Sequence, residues 1–404
     1  MDSSWTEWIN VVFRFAHVVA GIMWIGNSLL FTWMELNLIK PRDEKDPDLL
    51  GTLDMLHGGG VFHLEKRLMR ADAIPSPLHW FKWQSYTTWI TGFVLLGALF
   101  LSNGNSLLDP AKSDLGPGTA AALSLAGIFG GWLVYDALWR SPLRKHPVAG
   151  LAISLGFIAA AAAAYGSIFN GRALFLQIGA MMGTCMSANV FFHIITNQHR
   201  FMRALRAGQA HDPEYGKRAK ARSLHNHYMT FPVVFLMLSA HFPRLYSTPW
   251  NVPVLLTVIA ALMAVKHLMN TRYHFRSWLA SIFAVVTAAS LLIAFFLQRS
   301  PASTPPDPGV ATGKKVFETM ACATCHMQGG GAIAPALEGL HGSTVELADG
   351  STVVADDAYL RRSILEPQAE VVKGYAPAMP SYAGRMSDQE MNDLLAWLKS
   401  LRKP

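Results

Sequence analysis

The chain has 404 residues, 51% of them hydrophobic and only 15% charged, with a formal net charge of +7. Soluble domains average about 25% charged residues, so the balance argues against an ordinary soluble globular protein and a polytopic membrane protein is expected. No Lys/Arg-rich run with interleaved aromatics occurs, which argues against a nucleic-acid partner, and the three cysteines give no disulfide framework.

Apolar stretches long enough for a ~30 Å hydrocarbon core predict eight spans, near 11–34, 84–102, 118–139, 147–169, 174–196, 226–242, 253–270 and 277–297. The sixth and seventh are short and carry polar residues. The first reads as a span and not a cleaved signal, because no basic residue precedes Arg14 and no small-residue cleavage site follows.

Basic residues orient the spans. The stretch 38–83 carries seven Lys/Arg, from Lys40 and Arg42 through Lys45, Lys66 and Arg67 to Arg70 and Lys82, and 198–225 also carries seven, from Arg200 to Arg222. The short third and seventh loops hold Arg140, Arg144, Lys145, Arg272 and Arg276, whereas the even loops hold one each: Lys112, Arg172 and Arg244. This alternation predicts odd loops in the cytoplasm and both termini outside. Gly58-Gly59-Gly60 lacks a following Lys-Ser/Thr and any predicted strand before it, so it reads as a tight turn and not a phosphate loop.

Ionisable groups inside spans are functional candidates, because burying them is costly unless they are paired. Arg14 and His17 share a helical face near the outer end of the first span, and His241 ends the sixth span on the same side. These three are the candidate catalytic residues. His193, His227 and His267 fall near the cytoplasmic ends of spans five, six and seven, while Asp136 and Lys266 are further intramembrane charges. His57, His63, His199 and His225 sit at membrane boundaries, where solvated histidines are ordinary. Buried histidines on facing helices are what a b-type haem uses, so His17, His193, His227, His241 and His267 are its candidate ligands. Most tryptophans read as interfacial anchors, with Trp24 and Trp83 able to stack on a flat ring.

After residues 1–299 the composition changes: 300–308 (SPASTPPDP) reads as a Pro-rich linker. Residues 309–404 then read as a small soluble domain. A helix is predicted through Lys314–Met320. A final helix begins at Ser387, where Ser387 and Glu390 have capping-box spacing. Cys322-Ala-Thr-Cys325-His326 puts two thiols one turn apart, positioned to attach one haem c, with His326 as the proximal iron ligand. A zinc knuckle would need a second CxxC, which is missing. Met379, in the Pro-bracketed loop Tyr375–Tyr382, is the expected sixth ligand over Met320, Met327 and Met386. Covalent haem attachment occurs outside the cytoplasmic membrane in bacteria, so this domain is expected in the periplasm, as the loop charges also require.

These residues resemble the class I cytochrome c fold, through Gly313…Phe317 before the motif, Pro335 after it, the distal Met and the closing aromatic helix with Trp397. The resemblance implies that Phe317 and Trp397 pack where the terminal helices cross, and that the Pro335 carbonyl holds His326. The whole chain is similar to the membrane-bound bacterial urate oxidases. The segments that carry this are Arg14-Phe-Ala-His17 with Trp24-Ile-Gly26, Leu56-His57 through Arg67, Leu78–Trp83, Asn189–His193 through His199, and Leu224–Tyr228 through Pro243. That resemblance implies an all-α architecture, an eight-helix membrane bundle followed by the cytochrome, located in the bacterial inner membrane. It implies oxidation of urate to 5-hydroxyisourate, with electrons passing through haem c to a respiratory acceptor, a cytochrome c or a terminal oxidase. The competing expectation is a quinol-oxidising cytochrome subunit without purine activity. A haem- or copper-handling protein is a third, poorly served by a single membrane-domain cysteine.

Overall fold

The computed structural model describes residues 3–40, 46–102, 104–109, 112–209, 214–299, 308–322, 325–326 and 334–401. The chain divides into two compact units, Met1–Ser300 and Pro301–Pro404. The boundary falls beside the expected linker, of which 300–307 lies outside the described residues.

The first unit is a helical bundle. Its longer helices are α1 (Ser3–Leu36), α2 (Trp83–Leu96), α3 (Pro117–Arg140), α4 (Pro147–Gly166), α5 (Gly171–Ala188), α6 (Thr196–Arg206), α7 (Glu214–Leu238), α9 (Asn251–Thr271) and α10 (Trp278–Gln298), with a single-turn α8 (Pro243–Tyr246). Among the described residues seven helices are long and apolar enough to cross a membrane. The eighth expected span, 226–242, lies in α7, whose first half is charged and whose apolar second half is short. Helix α5 occupies the centre. Phe175, Ile178, Met181 and Met182 are almost fully buried, against Leu255 and Ile259 of α9 and Leu236 of α7. Gly179 makes room there, since a Cβ on it would lie 2.7 Å from the Met237 methyl. Around this core the helices turn apolar side chains outward: no residue of α10 is buried, and Phe283, Leu291 and Phe295 are exposed. Such faces suit hydrocarbon as solvent.

Three local expectations are corrected. The stretch 38–83 contains an antiparallel hairpin, β1 (Leu49–His57) and β2 (Gly60–Arg67). A strand therefore does precede Gly58-Gly59-Gly60. Gly58 and Gly59 take positive φ, 61° and 80°, as a two-residue hairpin turn demands, so the tight turn stands and the phosphate loop does not. Exposed ion pairs line the hairpin, among them His63–Asp54 at 2.7 Å. That carboxylate raises the His63 pKa above its ordinary value. Second, 198–209 is mostly no loop: α5 continues through a π-helical segment, Asn189–Ile195, into α6. Third, Arg222, counted as a loop charge, is buried within α7.

The second unit closes where its terminal helices, α11 (Pro308–Thr319) and α13 (Asp388–Ser400), cross. Gly313 permits the approach, since a Cβ there would run into the Asp393 carbonyl. Beside it Phe317 and Trp397 pack with ring centroids 4.4 Å apart. Ser387 caps α13 with both halves of the capping box present. The stretch between holds a short hairpin, β3 (Thr344–Glu346) with β4 (Thr352–Val354), and α12 (Asp357–Leu365). Asp356 caps α12 by accepting from the Tyr359 amide at 2.8 Å. Val316, Phe317, Leu394, Leu395 and Leu398 form the core, each buried side chain contributing about 1.5–3 kcal/mol.

Candidate functional site

In the second unit the attachment motif closes into a turn: the His326 amide donates to the Cys322 carbonyl at 3.0 Å, and the Cys325 amide to the same oxygen at 3.3 Å. His326 Nδ1 lies 3.1 Å from the Pro335 carbonyl oxygen. Donation from Nδ1 would fix the ring and leave Nε2 available to hold an iron. Cys322, Cys325, His326 and Met379 line one cavity of about 750 Å³, walled by Phe317, Leu340, Leu360, Ile364 and Leu398. Two thiols for thioether bonds, a nitrogen and a thioether sulfur as axial donors, and apolar walls fit a covalently attached haem. Of the four methionines weighed, Met379 alone lines this cavity among the described residues; Met327 lies outside them. Tyr382 shares the cavity wall and donates to the Met320 carbonyl at 3.1 Å, tying the Met379 loop to the attachment helix. Burial pushes the Cys322 thiol above its ordinary pKa.

The first unit distributes its candidate residues. Arg14 and His241 are exposed, and no hydrogen bond joins either to His17 among the described residues. His17 turns inward against α2: its Nδ1 donates to the Thr88 carbonyl at 2.8 Å, and no hydrogen bond engages Nε2 among the described residues. The ring packs on Gly92, where a Cβ would come within 2.8 Å of it. His193 and His227 instead spend Nε2 on neighbours, Asp136 at 2.5 Å and Thr32 at 2.7 Å. His267 Nδ1 bonds to the Tyr228 hydroxyl at 2.8 Å. Trp83 is 67% exposed. His225 is no solvated boundary residue: its Nδ1 accepts from the Tyr135 hydroxyl at 2.8 Å, and Trp139 covers its ring.

Two buried charges stand apart. Asp136 on α3 accepts from His193, from Arg222 at 2.9 Å and from Arg140 at 2.6 Å. Asn189, at the start of the π-helical segment, donates to the Tyr135 hydroxyl and to Asn226 Oδ1, both at 2.9 Å. This network ties α3, the π-helical segment and α7 together with its polar groups matched. Lys266 on α9 is the opposite case: its residue is 2% exposed, and its Nζ sits 5.1 Å from the centre of the Phe231 ring with no carboxylate beside it among the described residues. The sequence marked Asp136 and Lys266 as intramembrane charges but missed Arg222, whose partner lies 86 positions away.

The family described as urate oxidase N-terminal matches residues 3–298, and the cytochrome c family matches residues 310–402. The C-terminal part is also similar to cytochrome c6 of Thermostichus vulcanus, at 30% identity over 113 residues, which are 28% of this chain and 87% of that protein.

Proposed function

Because this chain belongs to the urate oxidase N-terminal family and ends in a cytochrome c domain, we propose that its helical unit oxidises urate to 5-hydroxyisourate and delivers the electrons to its own haem c. The observation that carries this reading is the joining, in one chain, of a bundle of that family to a cavity with both cysteines, His326 and Met379 on its walls. The reaction balances as urate plus water giving 5-hydroxyisourate, two electrons and two protons. When bound, haem c supplies a one-electron acceptor whose His/Met ligation favours a high reduction potential.

The chain's own residues then have three tasks: to hold a planar anion, to take up its protons, and to keep the oxidised ring from leaving between two single-electron transfers. The spans lie in the bacterial inner membrane, with the cytochrome domain on the periplasmic side and a respiratory cytochrome c or terminal oxidase as the next acceptor. Crossing a ~30 Å core in one electron transfer is too slow for turnover, so either the substrate site lies in the outer half, near Arg14, His17 and His241, or a carrier sits inside the bundle. Were that carrier a b-type haem, His17 would suit it as a ligand: it is half-buried, its Nδ1 is pinned by Thr88, and no hydrogen bond engages its Nε2 among the described residues. His193 and His227 suit this role less, since Nε2 is already engaged.

The test is an anaerobic spectrum of the purified full chain before and after urate, with a pyridine haemochrome assay. Urate should reduce haem c without any other protein, and His17→Ala should remove any non-covalent haem. A haem c that stays oxidised with urate but is reduced by quinol would overturn the urate reading in favour of a respiratory subunit.

A further inference from the structure

The best-matched charges in the membrane unit are poor candidates for ligand binding. Asp136 is saturated by three donors, and Arg222 is held by Asp136 and lies beside Asn189. A ligand entering there would have to break bonds already made. Lys266 has no such partner among the described residues.

Two ordinary explanations for a lysine at this position fail. Cations are stabilised at helix C-termini, but that effect fades beyond the last turn, and Lys266 is followed by more than one turn of α9, which runs to Thr271. Lysines near membrane surfaces keep their stems in hydrocarbon and lift the ammonium into water, yet Lys266 is almost wholly covered. An unmatched charge inside a bundle is costly, and where one persists it marks a functional site.

Its surroundings indicate the ligand. Phe231 presents its ring to the ammonium. His227 is four residues before Phe231 on α7, on the same face. Across from it Thr32 of α1 gives its hydroxyl proton to the Ser28 carbonyl at 3.0 Å and lies 2.7 Å from His227 Nε2 and 3.4 Å from Nδ1, so the shorter contact has the imidazole as donor. The other nitrogen, Nδ1, is then the basic one. A cation, an aromatic face and a proton acceptor thus meet where α1, α7 and α9 adjoin.

We propose that Lys266, Phe231 and His227 form the binding site for a planar heterocyclic monoanion, the urate anion, with Lys266 as its counter-ion. This rests on the reading that the unit oxidises urate, and it adds the site and its side. Under the loop-charge orientation, Lys266 and His227 belong to the cytoplasmic half, so substrate enters from the cytoplasm and the in-bundle carrier becomes obligatory. Urate carries one negative charge at neutral pH, which the ammonium neutralises, and His227 Nδ1 accepts a ring N–H proton as electrons leave.

The experiment uses the full chain with its haem fully reduced by dithionite, so that urate binds without turnover, and measures the urate Kd by anaerobic calorimetry. Loss of a charge-assisted contact is expected to raise Kd on the order of 10- to 100-fold in Lys266→Met, while ascorbate still reduces haem c. The same variant should melt no lower than the wild type, because an unmatched buried charge has been removed; a lysine with a purely structural role would lower it. If Lys266→Met fails to fold, Lys266→Gln takes its place. Wild-type Kd in the folded variant overturns the proposal, and if urate still reduces haem c the functional reading survives. No urate binding by the wild-type chain overturns both.

Discussion

Neutralising Asp136 provides the sharpest test of how the bundle is held together. Its side chain is 10% exposed and meets three donors of very different burial: Arg222 at 6%, His193 at 14% and Arg140 at 62%. Asp136→Asn keeps the shape but leaves Arg222 buried without a counter-ion, which costs about 3–5 kcal/mol when a buried pair is broken from one side. Arg140→Ala removes a pair facing the surroundings, worth roughly 1 kcal/mol or less. Replacing both buried partners with apolar residues, Asp136→Leu with Arg222→Met, removes the unpaired charge and should recover most of the loss. Thermal unfolding of the purified variants in one detergent would rank them: wild type and Arg140→Ala close together, the double variant next, Asp136→Asn lowest. A double variant melting as low as Asp136→Asn would refute the charge-pairing argument and shift the weight to Asn189, Asn226 and Tyr135.

Further predictions concern the cytochrome unit. Gly313→Ala should cost about 1–3 kcal/mol or more through overpacking, because the new methyl meets the Asp393 backbone; a lowered melting temperature of the haem-bearing domain measures it. Ser387→Ala should destabilise α13 by about 0.5–2 kcal/mol in the same melt. Glu390, held by the Ser387 backbone and side chain, has its pKa lowered below 4.5, so its contribution is present above that value and lost as pH falls through the folded pKa. Wild type and Glu390→Gln should therefore converge in stability only on acidification below about pH 4.5. Met379→Ala should lower the haem c reduction potential, while Met320→Ala and Met386→Ala should not; a potentiometric titration that finds all three alike would remove Met379 as the axial ligand.

What the sequence revealed follows from how local the constraint is. The haem motif, the capping box and the Gly313–Phe317–Trp397 crossing are legible because each fixes residue types at short or familiar spacing. Spans are legible because hydrocarbon demands uninterrupted apolar runs, and α7 blurred that rule by carrying Glu214, Lys217 and Arg222 in one helix with its apolar end. The hairpin 49–67 left a readable signal in Gly58-Gly59, taken as a turn without its strands. Arg222 could not be placed, because its burial depends on Asp136 arriving from another helix. Lys266 was visible as an intramembrane charge, but only its surroundings reveal that no carboxylate meets it among the described residues.

The π-helical segment Asn189–Ile195 has a consequence for how the bundle tolerates insertions and deletions. A π turn accommodates one residue more than the α register, and each residue advances a helix by about 100°. Deleting a single residue from this segment would therefore restore regular winding and leave the helix faces downstream in register. Asn197, Met202 and Leu205 would go on facing inward, and the charged flank of α6 would stay outside. Length at this point has one residue of slack: a deletion here is absorbed by the winding, whereas the same slip in the regular turns on either side alters which side of the following helix the bundle receives.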